Sequence, residues 1–188
     1  MPQENQPGGQ ILFVGTMSYL PNIDAVQNFS AQILPLIRHN YPQVVFQIAG
    51  RDPDPKLKAL ANEPYIQVSG FVEDIRPSLA ACSVFVVPLR AGAGTRLKIL
   101  EALAMGKAVV STTIGAEGLN VQPEENILIA DQPAEFARQT VRLLADPELR
   151  IRLGQAGRRL VECQYSWRKI ATGVGQLYQE LGERRQDG

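Results

Sequence analysis

The chain is poor in the side chains from which many catalytic centres are built. It has one histidine, two cysteines and one tryptophan, and aromatics make up 6% of its 188 residues. A single histidine excludes a multi-histidine zinc site within the chain. A Ser-His-Asp enzyme would have to be built around His39, and no serine sits in a nucleophile-elbow pattern. His39 reads instead as a residue at the C-terminal end of a helix, where an imidazolium suits the dipole. Cys82 and Cys163 lie far apart and match no metal-binding spacing, so they read as reduced thiols, Cys82 in the core. Net charge is lacking as well: Lys+Arg and Asp+Glu both number 19, leaving no field that favours nucleic acid or acidic membranes. The sparse aromatics are not interleaved with basic clusters, which argues against a base-stacking surface, and no nucleic-acid partner is expected. No apolar run approaches the roughly 20 residues needed to span a bilayer. The opening MPQENQPGGQ lacks the basic start and apolar stretch of a signal peptide, so a cytoplasmic chain is expected.

What is present is a 45% hydrophobic content and a steady alternation of short apolar runs with helical patterns. Strands are expected at Ile11–Gly15, Val44–Ala49, Ile66–Val68, Val84–Val87, Ala108–Ser111 and Ile127–Ile129. Helices are expected over Asn22–Asn40, with Asn22 as N-cap and a kink at Pro35, and over Pro55–Asn62, Asp74–Ala81 and Thr95–Met105. Three more are expected over Pro133–Ala145, Pro147–Glu162 and Trp167–Gly182, with Trp167 as a packing anchor. Dense charge on Glu148–Arg159 reads as a solvated helical face. Strands apolar on both faces point to a parallel sheet covered by helices. The expected fold is α/β: a doubly wound, Rossmann-like parallel sheet of about six strands, ordered 3-2-1-4-5-6, with a C-terminal helical extension. One domain over residues 11–182 is expected, between a flexible segment at 1–10 and a frayed tail at 183–188. In such sheets ligands bind beyond the carboxyl ends of the strands, where the order reverses, here near Gly15-Thr16 and Pro88–Gly94.

A glycine loop, Gly92-Ala93-Gly94-Thr95, falls at that place and leads into a helix. A strand, a loop and a helix N-terminus make an anion site, because unpaired N–H groups and the helix dipole point at the ligand. The loop is not a dinucleotide fingerprint: the third glycine would fall at Leu97, and the loop follows the fourth strand rather than the first. Nor is Gly106-Lys107 a P-loop, since Glu101 holds the upstream glycine position and Ala108 replaces Ser/Thr. Glu101 either pairs with Lys98 on the helix surface or faces a ligand as an acceptor for sugar hydroxyls, and spacing leaves both readings open. Asp52-Pro53-Asp54 is either a proline turn or a pair of metal-holding aspartates.

In order, the blocks ILFVGTMSYLPNIDAVQNF, VVFQIAGRDP, VSGFVEDIRPSLAACSVFVVPL and TRLKILEALAMGKAVVSTTIGAEGL cover most of the chain. Together they resemble the C-terminal, nucleotide-sugar-binding domain of group 1 retaining glycosyltransferases, one half of the two-domain GT-B fold. The resemblance implies a nucleotide-diphospho-sugar as donor, no metal or other cofactor, and transfer with retention. It implies that an N-terminal domain outside this chain holds the acceptor, so that the chain alone would be inactive. Any peripheral membrane contact would come through that domain. The family's motif is a pair of glutamates; the second matches Glu101, implied to hold the ribose, and the first falls at Ala93. The resemblance further implies that Gly15 lets a phosphate approach, that Gly70, Phe71 and Val72 receive the base, and that the backbone of Gly92, Ala93, Gly94 and Thr95 reaches sugar or phosphate. The Arg and Lys that usually follow the first strand are replaced by Thr16–Pro21. Arg96 and Lys98 are the expected substitutes, giving Arg96, Lys98 and Glu101 as expected catalytic residues. A nucleotide-sugar or protein-binding module without chemistry is the alternative, favoured by Ala93 and the missing clamp.

Overall fold

The computed structural model describes residues 9–52, 54–166, 169 and 171. Six strands form one sheet: β1 (Gln10–Val14), β2 (Val45–Ala49), β3 (Ile66–Gly70), β4 (Val84–Val87), β5 (Val109–Ser111) and β6 (Leu128–Ile129). Their order is β3-β2-β1-β4-β5-β6, and every neighbouring pair is parallel. The expected doubly wound order is therefore the observed one. The central strands are buried on both faces, from Ile11, Leu12 and Phe13 in β1 to all four residues of β4. The edge strand β3 alternates, exposing Gln67 beside buried Ile66. β1 opens at Gln10, so the expected N-terminal segment gives up its last residue to the sheet.

The first crossover is α1 (Leu20–Asn28), a π-helical turn (Phe29–Ile33) and α2 (Leu34–Asn40). The kink expected at Pro35 takes the form of this wider turn. Leu34 N–H donates to Phe29 O, five residues back, immediately before a proline that has no N–H to give. The helix begins at Leu20, with Pro21 in its first turn, so Asn22 is not the N-cap; it lies inside the helix and is buried. α3 (Pro55–Leu60) and α4 (Arg76–Ala81) make the next two crossovers, and α5 (Leu97–Ala104) joins β4 to β5.

α6 (Pro133–Ala145) and α7 (Pro147–Gln164) complete the two helical layers rather than extending beyond them. α6 packs on α2 and the π turn, where Phe29 meets Phe46 of β2 at 4.5 Å and Phe136 of α6 edge-on at 6.0 Å. α7 crosses to the opposite face and lies on α5. Most of its charged residues face outward as expected, but Arg150 is half-buried and donates to Leu143 O and Leu144 O, and Gly154 and Gly157 face inward. A Cβ on Gly154 would stand 2.0 Å from Gly106 O, and one on Gly157 would stand 2.4 Å from Leu103 Cδ2. Of the helix expected over Trp167–Gly182, only Lys169 and Ala171 are among the described residues; Trp167 and the tail lie outside them. Cys82 is buried, Cys163 is exposed, and His39 sits in the last turn of α2.

Candidate functional site

A cleft of about 710 Å³ opens at the carboxyl ends of β1 and β4, where the strand order reverses. Its floor is main chain. Gly15 N–H donates to Ala49 O at 3.1 Å, and a Cβ on Gly50 would lie 1.6 Å from Gly15 O. The loops after β1 and β2 therefore meet backbone to backbone at this point. The walls come from the loop after β3, with Phe71 and Val72, and from the loop after β4 running into α5.

The glycine loop owes its path to backbone conformations that other residues rarely adopt. Gly92 has φ 117° and Gly94 has φ 94°. Arg96 holds this path from within: Nη1 donates to Ala93 O and Nη2 to Gly92 O, both at 2.8 Å, with a longer bond from Nη2 to Ile114 O at 3.4 Å. Arg96 is buried and so serves first as a brace for the loop. The bracing displaces the start of α5 from the expected Thr95 to Leu97, with Arg96 at φ −84°, ψ 64° as the flanking residue.

Lys98 turns inward. Its Nζ donates to Asn22 Oδ1 at 2.9 Å and lies 4.4 Å from the centroid of the Phe13 ring. Burial pulls its pKa down to about 8; nearby Arg96 adds to the fall and Glu101 opposes it. Among the described residues no ion pair joins Lys98 to Glu101, so the surface-pair reading of these two is not the one the geometry realises. Glu101, one turn further along α5, is exposed and lines the cleft.

Of the residues singled out in the sequence, Gly15, Phe71, Val72, Ala93, Thr95, Arg96, Lys98 and Glu101 come together on this cleft. Gly70, Gly92 and Gly94 shape the turns behind its wall. Sequence reasoning missed Tyr19, Asn22, Arg51 and Ile75, which also line it. Arg51 carried a usable signal, since it directly follows the glycine that ends β2. Asn22 carried a misleading one, because its position before an apolar helical pattern imitates a cap. Asp54 accepts a hydrogen bond from Lys56 N–H at 2.8 Å and caps α3, which is the turn reading of the aspartate pair; Pro53 lies outside the described residues. Among the described residues no three His, Cys, Asp or Glu side chains converge as a metal-binding group. No described helix is long and apolar enough to cross a membrane.

Residues 8–146 match the family model of glycosyl transferases group 1. The chain belongs to this family. An uncharacterized glycosyltransferase of Methanocaldococcus jannaschii is 30% identical over 113 residues, covering 59% of this chain and 32% of that protein. The chain spans about a third of the length of the curated relatives it matches. Among solved structures, the C-terminal domain of a group 1 glycosyl transferase from Francisella tularensis superposes with a TM-score of 0.67 at 22% identity, over 85% of this chain and 86% of that one. HepE from Anabaena, crystallised with UDP and glucose, gives 0.74 at 16% identity over 92% and 48%. At these identities the likeness establishes the fold, a Rossmann-like sheet as found in GT-B glycosyltransferases.

Proposed function

We propose that the chain is the donor-binding part of a retaining glycosyltransferase and holds a nucleotide-diphospho-sugar in the cleft between β1 and β4. The observation that carries this reading is a half-buried ammonium, Lys98, held by Asn22 at the start of α5, with the Glu101 carboxylate one turn beyond it on the same wall. Phosphates are anions and ribose is a diol, and this pair offers a cation to the first and a bidentate acceptor to the second. The positive end of the α5 dipole adds to this field. Negative charge develops on the diphosphate as the glycosidic bond to it breaks, so fixed positive charge there lowers the barrier electrostatically. Arg51 extends the positive lining toward the mouth, while Phe71 and Val72 offer an apolar surface beside which a base fits. Arg96 acts through the glycine loop, keeping its backbone in place. Charge from Lys98, Arg51 and the helix N-terminus makes a metal unnecessary in this scheme. The UDP bound by HepE supports a nucleoside diphosphate as ligand.

The acceptor belongs to an N-terminal domain outside this sequence, through which any membrane contact would be made, and the working compartment is the cytoplasm. Without that domain the chain binds donor but turns over little. A second reading, a nucleotide-binding module without chemistry, draws on Ala93: it supplies no carboxylate to the sugar, and its carbonyl is occupied by Arg96.

Calorimetry with UDP, GDP, ADP and pyrophosphate, each with and without Mn²⁺, tests the proposal. Binding of a nucleoside diphosphate in the absence of metal is expected; no binding of any diphosphate refutes it, and binding only with Mn²⁺ transfers the role to a metal. Glu101→Ala is expected to weaken the nucleoside diphosphate more than pyrophosphate. Equal losses would contradict a ribose contact.

A further inference from the structure

Asn22 is separated from Lys98 by 76 residues, yet the two side chains meet at the base of the cleft. The amide is buried, and both its ends are committed. Nδ2 donates to Thr16 O at 2.9 Å, which leaves Oδ1 to accept from Lys98 Nζ. Because a backbone carbonyl can only accept, the amide has one orientation compatible with its neighbours. Gly15 makes room for the arrangement: a Cβ there would stand 2.6 Å from Asn22 Nδ2 and 2.9 Å from Lys98 Nζ. The Phe13 ring closes the site from the core side.

A neutral acceptor does something that a carboxylate would not. It fixes the direction of the ammonium while leaving its full charge available to an anion in the cleft, whereas an Asp at the same place would cancel that charge. Resting on the donor-binding reading above, we propose that Asn22 is a positioning residue that holds Lys98 toward the diphosphate of the donor without neutralising it. Gly15 is then the residue that leaves space for the pair. The charged and titratable groups around Lys98 are Arg96 and Glu101 on its own side, with Arg51 and Tyr19 on the other walls of the cleft.

The test compares the wild-type chain with Asn22→Leu and Asn22→Asp. Pyrophosphate and UDP affinities are measured by calorimetry across pH, and Lys98 is titrated in the free protein by NMR of its side chain. Both variants are expected to lose affinity by roughly ten- to a hundredfold near neutral pH, the range for a lost hydrogen bond to a charged group. The titration of Lys98 is expected to move in opposite directions, downward in Asn22→Leu and upward in Asn22→Asp. A variant that had only loosened the fold would not give opposed shifts, and thermal melts of both variants check for such loosening. Wild-type binding that persists unchanged in Asn22→Leu, or a titration of Lys98 that moves the same way in both variants, overturns the role of Asn22. A wild-type chain that binds neither probe overturns the donor-binding reading itself and this role with it.

Discussion

Gly154→Ala gives a direct test of how α7 is seated. In an exposed helix, replacing glycine by alanine stabilises by about 1 kcal/mol, because the unfolded chain loses freedom and the helix gains a better former. Here the added Cβ would lie 2.0 Å from Gly106 O and 2.8 Å from Gly106 C. Both are backbone atoms of the turn between α5 and β5, so no rotamer change relieves the overlap. α7 must instead recede by about 1 Å or more to restore van der Waals contact, thinning its packing on α5 along the way. Overpacking of this kind costs about 1–3 kcal/mol, and an obstacle made of backbone belongs at the upper end. Set against the propensity gain, a net loss of about 1–2 kcal/mol is expected, or roughly 2–8 °C in Tm for a domain of this size. Gln155→Ala, on the exposed face of α7, is the control and is expected to stay within about 0.5 kcal/mol. Urea and thermal denaturation followed by circular dichroism supply the measurement. A Gly154→Ala chain as stable as the wild type, or more so, would refute the close approach of α7 to Gly106.

Diphosphate binding is expected to weaken as pH rises through about 8, because burial sets the Lys98 ammonium to lose its proton there; it should be full below that pH, where Lys98 is charged. Calorimetry across pH reads this directly, and Lys98→Ala should flatten the profile while weakening UDP and pyrophosphate alike. Arg96→Met is expected to lower stability by about 2–3 kcal/mol, since the carbonyls of Gly92 and Ala93 lose their donors, and amide exchange should speed up across residues 92–95. Unchanged exchange in that loop would mean that Arg96 does not brace it. Asp54→Ala should cost about 1 kcal/mol through the lost cap of α3 and leave diphosphate affinity the same with or without Mn²⁺. A loss of affinity in that variant would return Asp54 to the list of ligand-binding groups.

Sheet order and the position of the cleft were legible because they rest on local signals. Short apolar runs ended by glycine, as at Val14-Gly15 and Ala49-Gly50, mark the strands, and the handedness of parallel crossovers orders them. Lys98 and Glu101 were likewise visible as charges on an otherwise apolar helix. The direction of Lys98 was not, because its partner lies on another helix far away in sequence. Local rules also misread that partner: Asn22 looked like a cap, but Pro21 is better accommodated inside the first turn than before it, which moved the start of α1 back to Leu20. The sequence offers Arg96 as a substitute for the missing clamp, and only the fold of the glycine loop reveals carbonyls close enough to occupy it. The role of Gly154 and Gly157 was hidden for the same reason, since a charged helix gives no local sign of the surface on which two of its glycines rest.

The backbone contact between Gly50 and Gly15 O divides the cleft into a part that resists substitution and a part that admits it. Any side chain at position 50 would strike the floor, so mutation there alters whether the cleft exists at all. Tyr19, Arg51, Phe71 and Ala93 stand on the rim, and exchanging any of them leaves that floor intact. What the cleft accepts can therefore change one wall residue at a time, with the backbone floor held constant beneath.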